Sequence, residues 1–295
     1  MEPEQHIPGS PPRLVKTRMT ELPISYREVE PPPRLAPFVR CIWRLRGLSD
    51  GAAEPIIPDG CAEIVVNTGG PFIRHTSGSS SHVQAERLVA GQLTRAITLE
   101  PTGRIDVWGI RLHPWCASTF TDVPASELRD CDVSLADIDR SFDNSLAAVG
   151  DATGEEGAER ALIDALMKRA ARATPPSSSI PRLVSFAARG SETASVRKLS
   201  RDAGVSTRRL QAVFRDHVGL TPKQLLRVTR FQRALRIARA EPTFSWGRVA
   251  HLAGFYDQAH LIHDSNDIAG CTPNQLVARD ANLTEAFLAS EKFGG

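Results

Sequence analysis

Apolar positions recur along this 295-residue chain with two different periods. Between Arg34 and about Phe120 they come in short runs: residues 41–45, 62–67, 87–90, 96–100 and 105–112. Pro58-Asp59-Gly60, Thr68-Gly69-Gly70-Pro71 and Pro101-Thr102-Gly103 separate these runs as turns. Strands so short and so spaced predict a β-sandwich or barrel. The Ser-rich residues 76–81 read as a mobile loop. Residues 122–130 form a connector, and further on the period lengthens to that of a helix. Residues 134–149 form one helix and residues 155–172 another, amphipathic one. Ala158, Ala161, Leu162, Ala165, Leu166 and Arg169 set the register of the latter. Such a stripe requires a cover, which is either the β region or a second copy of the chain. Residues 173–179, rich in Pro and Ser, are a linker by composition. Residues 180–188 then open a second domain, packing Leu183, Val184 and Phe186.

The stretch from Ser195 to Leu276 holds the strongest pattern. Val196, Leu199 and Ala203 fall at helical spacing behind Ser195, whose hydroxyl can cap a free backbone N–H. Gly204 ends that helix in a left-handed turn. Ser206 caps the next, where Leu210, Val213 and Phe214 make one apolar stripe. Two short amphipathic helices joined by a glycine turn are a helix-turn-helix. With that stripe inward, Arg208, Ala212 and Arg215 point outward, flanked by Arg209 and Gln211. Arginine can pair bidentately with guanine and glutamine with adenine, and both reach phosphates.

The unit then repeats. A long helix over residues 223–240 follows the Gly219-Leu220-Thr221-Pro222 break. A second pair runs over 245–253 and 257–268 with Gly254-Phe255 as its turn. It closes on Gly270-Cys271-Thr272-Pro273, an echo of the earlier break. Two units on a connecting helix, with G-L-T-P, then A-G-F-Y-D-Q-A-H, then G-C-T-P, resemble the DNA-binding domain of AraC/XylS-type transcriptional regulators. The resemblance covers residues 181–279. It implies that the two recognition helices enter successive major-groove segments of double-stranded DNA. An eighteen-residue connecting helix, about 27 Å long, suits a DNA turn of about 34 Å. The matching positions make Arg208 and Gln211 readers in the first helix, and Gln258 and His263 in the second. Ser206, Thr207, Arg209 and Arg215 complete the candidate DNA-binding set. In the N-terminal part, P-P-P-x-L-x-P-F-V, I-I-P-D-G-C-A-E-I-V-V-N and G-x-R-L-H-P resemble the uncharacterised domain that often precedes this one, which names no ligand.

The second unit departs from the family. Its reading helix carries Asp257, Asp264 and Asp267 and no Lys or Arg, with His263 where an arginine is usual. Ser265 stands where a buried phenylalanine is usual, which predicts loose packing. Three carboxylates facing phosphates would be repelled. On these grounds the first unit supplies most of the affinity and Ser265→Phe stabilises the fold.

Charge agrees with a polyanion partner. Residues 181–240 hold fourteen Lys/Arg against three Asp/Glu, although the whole chain has a net charge of only +2. Five scattered cysteines without a C-x-x-C argue against a disulfide framework or zinc site and fit a reducing compartment. The sequence lacks a long apolar run or an apolar signal core, so the expectation is a cytoplasmic protein with no membrane partner. Residues 1–20 read as a disordered tail. Met19, just before the first ordered character, is a candidate translation start.

Other chemistry is sparse. His113 and Cys116 share a helical face, but two ligands do not make a metal site. A helix from about Pro114 that packs Trp115 and Phe120 accounts for them. Asp59 and Glu63 could do acid–base chemistry, but nothing nearby supplies a nucleophile, and turn stabilisation accounts for them as well. No phosphate-binding glycine loop or catalytic triad order is found, so neither a cofactor nor an enzymatic activity is expected.

The expectation is an α+β protein. A β-rich domain with C-terminal helices (21–172) joins through 173–180 to an all-α double helix-turn-helix domain (181–280), with a tail at 281–295. Its function is that of a transcription regulator whose N-terminal domain binds a small-molecule effector or dimerises. RNA polymerase is a further partner the resemblance admits. The alternative is a small-molecule-binding or enzymatic β domain with a DNA-binding tail.

Overall fold

A computed structural model describes residues 24–76, 80–175, 177–188, 195–240 and 245–278. The N-terminal tail with the Met19 start, the centre of the Ser-rich loop and the C-terminal tail lie outside the described residues.

Among the described residues, ten strands form two antiparallel sheets. The larger has the order β1 (Ser25–Val29), β2 (Val39–Leu48), β9 (Arg104–Leu112), β4 (Glu63–Asn67), β7 (Arg87–Ala90), β10 (Asp132–Ser134). The smaller has the order β3 (Glu54–Ile56), β8 (Ile97–Pro101), β5 (Phe72–His75), β6 (Ser81–Val83). Alternation along β2 and β9 sends Cys41, Trp43, Leu45, Ile105 and Val107 toward the small sheet, where Phe72 and Leu99 meet them. Ile42, Trp108 and Ile110 face the other way, into a cluster with Phe142, Leu146, Leu162 and Leu166. Burial on both faces explains why apolar residues occupy both alternating sets of positions along these strands.

Helices α1 (Ala117–Thr121) and α2 (Ala125–Leu128) follow β9, and α3 (Leu135–Ile138), α4 (Arg140–Asp151) and α5 (Gly154–Ala170) follow β10. Residues 134–149, expected as one helix, divide at Asp139. Its backbone is extended and its carboxylate caps α4 by accepting the Phe142 N–H at 2.9 Å. The stripe of α5 is buried within the chain: Ala158, Leu162, Ala165 and Leu166 join the main core. That face is therefore not open for a second copy. β1, β3, β5, β6 and β10 carry too few consecutive apolar residues to be read from periodicity.

The C-terminal region comprises α6 (Ser179–Ala188), α7 (Val196–Asp202), α8 (Thr207–Val213) continued by a π-helical turn (Phe214–Val218), α9 (Pro222–Ala240), α10 (Trp246–Ala253), α11 (Gln258–Ala269) and α12 (Pro273–Val277). The main core runs on through Val184, Leu199, Leu210, Phe214 and Leu225, so the β region and the first helical unit share one cluster. The second unit has its own, around Phe231, Leu235, Val249, Leu261 and Ile268, and Ile57 of the β region enters it. Polar bonds cross as well. Gln232 donates to the Pro58 carbonyl at 2.6 Å, and the Ala96 N–H donates to the Ile268 carbonyl at 2.6 Å.

Candidate nucleic-acid interface

The first unit is assembled as its caps dictate. Ser195 accepts the Lys198 N–H at 3.2 Å and Ser206 accepts the Arg209 N–H at 3.2 Å. Each satisfies an amide that the first helical turn leaves free. Gly204 adopts the left-handed conformation between them, at φ +64°. Leu210, Val213 and Phe214 are buried. Thr207, Arg208, Arg209, Gln211 and Arg215 are exposed, with Ala212 half-buried.

Arg208, Gln211, Ala212 and Arg215 share one face and line a groove of about 560 Å³ together with Gly219, Leu220, Thr221 and Pro222. Arg209 points elsewhere, into a second groove with Ile180, Arg182, Leu183 and Phe186. Arg208 has no carboxylate partner among the described residues, whereas Arg215 pairs with its neighbour Asp216 at 2.9 Å. His217 is partly buried beside them, and that burial pushes its pKa below the usual histidine value.

In the second unit, Gln258 opens α11 and is exposed, as is His263, whose Nε2 lies 3.6 Å from Asp267 Oδ2. Each acid of this unit has a partner within the fold. Asp257 caps α11 through the His260 N–H at 2.7 Å. Asp264 is buried and binds Arg227 Nε at 2.6 Å and Arg230 Nη2 at 2.9 Å. Asp267 takes the second arm of Arg227 at 2.6 Å, and that bond holds its carboxyl below the usual range. Arg230 also lies over the Phe255 ring, 4.4 Å from its centroid.

Ser265 differs from expectation. It is fully buried and its hydroxyl donates to the Cys271 carbonyl at 2.7 Å. The residue thus serves as a polar anchor of the following turn.

Two residues join the candidate set that sequence reasoning missed. Tyr256, in the turn before α11, is 92% exposed. Phe255 takes the core position there, so its neighbour has to face solvent, and that juxtaposition was the available signal. Arg129 projects from the β region onto the groove of the first reading helix. It lies some eighty residues away in sequence, so no local pattern marks it.

The other candidate chemistry has been absorbed into the scaffold. His113 Nε2 lies 3.0 Å from the Ala36 carbonyl and its ring stacks on Trp115. Burial lowers its pKa. Cys116 is buried, and burial pushes its thiol up to about 12. Glu63 accepts from Arg111 Nε at 2.8 Å and from Trp43 Nε1 at 3.2 Å, and Asp59 lies 3.3 Å from Arg111 Nη2. Burial raises the Glu63 pKa. Trp43, Asp59, Glu63 and Arg111 border a cavity of about 100 Å³ between the two sheets, with Arg74, Gln84, Ile57, Phe72, Leu99 and Val107 among its other lining residues.

Comparisons with known proteins match two stretches of the chain. Residues 199–279 match the family described as a helix-turn-helix domain, and residues 27–134 match a domain of unknown function (DUF6597). The chain is 31% identical over 114 residues to the "Probable thc operon regulatory protein" of Rhodococcus erythropolis. That match covers 33% of this chain and spans about a third (34%) of the relative's length. Among solved structures, ToxT from Vibrio cholerae covers 86% of this chain and 98% of its own, at 8% identity and a TM-score of 0.45. The AraC-like transcriptional activator CuxR covers 75% and 96%, at 13% identity and a TM-score of 0.30.

Proposed function

Residues 199–279 belong to the helix-turn-helix domains of AraC-type regulators, and on that premise we propose that the protein is a sequence-specific, DNA-binding transcription regulator. α8 and α11 read adjacent major-groove segments, and the nineteen residues of α9 set them on a rod about 28 Å long. Arg208 and Gln211 read bases in the first segment. Gln258 and His263 do so in the second. Ser206, Thr207, Arg209 and Arg215 hold phosphates.

One observation carries this reading: the outward row Arg208, Gln211, Arg215 on a short helix whose opposite face is locked by Leu210, Val213 and Phe214. The second reading helix has no Lys or Arg, so the first unit supplies most of the electrostatic affinity. Selection of duplexes from a random pool, followed by titration of Arg208→Ala, tests the assignment. A loss of about 1–3 kcal/mol confined to one base pair supports base reading. An equal loss on every sequence makes Arg208 a phosphate contact, and no salt-sensitive preference in the wild type overturns the regulator reading.

The N-terminal domain acts as the sensor, and the cavity between its sheets is the effector chamber. About 100 Å³ is less than the roughly 150 Å³ of an apolar cavity that takes benzene, so the chamber suits a molecule smaller than benzene. The chamber also borders the DNA-binding region, since Ile57 lines it and packs into the second helical cluster. A melting shift of the full chain with small apolar compounds, lost when Val107→Trp fills the space, supports the sensor role. The protein works in the cytoplasm. RNA polymerase or a second copy would join it through surfaces other than the covered face of α5.

A further inference from the structure

α2 ends at Leu128, and Arg129 leaves it with extended backbone geometry. Its exposed guanidinium reaches toward the carbonyl of Gly219, with Nη1 at 3.5 Å. Gly219 terminates the π-helical turn that continues the first reading helix. A residue of the β region is thereby held beside the far end of that helix.

The groove there takes Arg208, Gln211 and Arg215 from the reading helix and Arg129 from the other domain. Three guanidinium groups line one groove, and its other lining residues carry no acid. Neither Arg129 nor Arg208 has a carboxylate partner among the described residues; only Arg215 does, on its flank. Like charges gathered in one concave surface raise its potential and favour an anion there.

Position distinguishes what each cation meets. Eleven residues separate Arg208 from Gly219 in sequence, roughly 16 Å along a helix. The major groove is about 8.5 Å deep, and recognition helices enter it by their N-terminal residues. A group at the opposite end stands at the groove rim, where the phosphates run. We infer that Arg129 contacts a backbone phosphate of the bound duplex, so that the sensor domain forms part of the DNA interface. This rests on the regulator reading above. A phosphate held by Arg129 and Arg215 together ties the two domains to one another. Any movement of α2 away from Gly219 then changes affinity for all duplexes by one factor and leaves sequence preference alone.

The test uses the full chain and two duplexes, one selected from a random pool and one arbitrary, titrated between about 50 and 200 mM salt. Arg129→Gln keeps the aliphatic stem and removes the charge, and Arg129→Lys keeps the charge. Arg129→Gln is expected to weaken both duplexes by the same factor, about tenfold. It is also expected to reduce the slope of log affinity against log salt by about 0.9. Arg129→Lys is expected to retain the slope. Wild-type binding by Arg129→Gln, a loss on one sequence only, or an unchanged slope overturns the inference. So does a melting shift with inorganic phosphate that vanishes in Arg129→Gln without any change in duplex binding, which would mark a small-anion pocket instead. If the wild type itself prefers no duplex, the regulator reading fails; if it does and Arg129→Gln matches it, only the role of Arg129 fails.

Discussion

Asp264 Oδ1 lies 2.6 Å from Nε of Arg227, joining the second reading helix to the long helix α9. The carboxylate is almost wholly buried, whereas the Arg227 side chain is 31% exposed. Its other oxygen binds Arg230 at 2.9 Å. Removing one partner of a buried pair strands the others, but water reaching both arginines softens the loss. Asp264→Ala is therefore expected to destabilise the fold by about 1–3 kcal/mol. Thermal melting measures it, and an unchanged melting temperature would show that this bridge does not orient α11.

Ser265 sits next to that bridge with no exposed surface and a hydrogen bond to Cys271. A phenylalanine there would have to displace its neighbours and give up that bond. Overpacking of this kind costs about 1–3 kcal/mol. Ser265→Phe is expected to melt below the wild type, the reverse of what the family pattern suggests. A higher melting temperature would restore the loose-packing account.

Gly219 has φ +81°, and a β-carbon on it would overlap the Ala125 carbonyl. Gly219→Ala has to bear left-handed strain of about 1–2 kcal/mol and also push α2 off the reading helix. The expected result is a lower melting temperature together with faster proteolysis near residues 122–130. Lowered stability with unaltered proteolysis there would mean that the strain is absorbed locally and the domains stay docked.

Asp132 sets an acid limit on the β region. Its burial opposes ionisation, but the hydrogen bond from His82 at 3.0 Å and the charge of Arg74 at 2.8 Å hold its carboxyl below the usual range. A depressed folded pKa contributes stability above the unfolded value, about 3.9, and loses it as pH falls through the folded one. Wild-type melting temperature is expected to drop below about pH 4. Asp132→Asn should melt lower at neutral pH and converge with the wild type in acid. Parallel curves would assign the acid transition to another group.

The helical half was legible because its signals are local. Ser195, Gly204, Ser206 and Gly254 each act within a few residues, and they stand in the structure where the pattern put them. Four of the five strands read from sequence, β2, β4, β7 and β9, bury most of their apolar residues; β8 was legible although it is only half-buried. β1, with the sequence S-Y-R-E-V at the sheet edge, is half polar and left no such trace.

Sequence alone determined the outward arginines of α8, since a buried Leu210, Val213 and Phe214 leave Arg208 and Arg215 nowhere else to point. Tertiary structure decided what charge means at each place. Asp264 and Asp267 count as repulsive in a list of residues, yet Arg227 and Arg230, more than thirty positions away, neutralise them. Arg129 counts as ordinary surface until α2 meets Gly219. Backbone periodicity depends on neighbours three or four residues apart, whereas Coulomb energy depends on distance through space, and only the folded chain sets that distance.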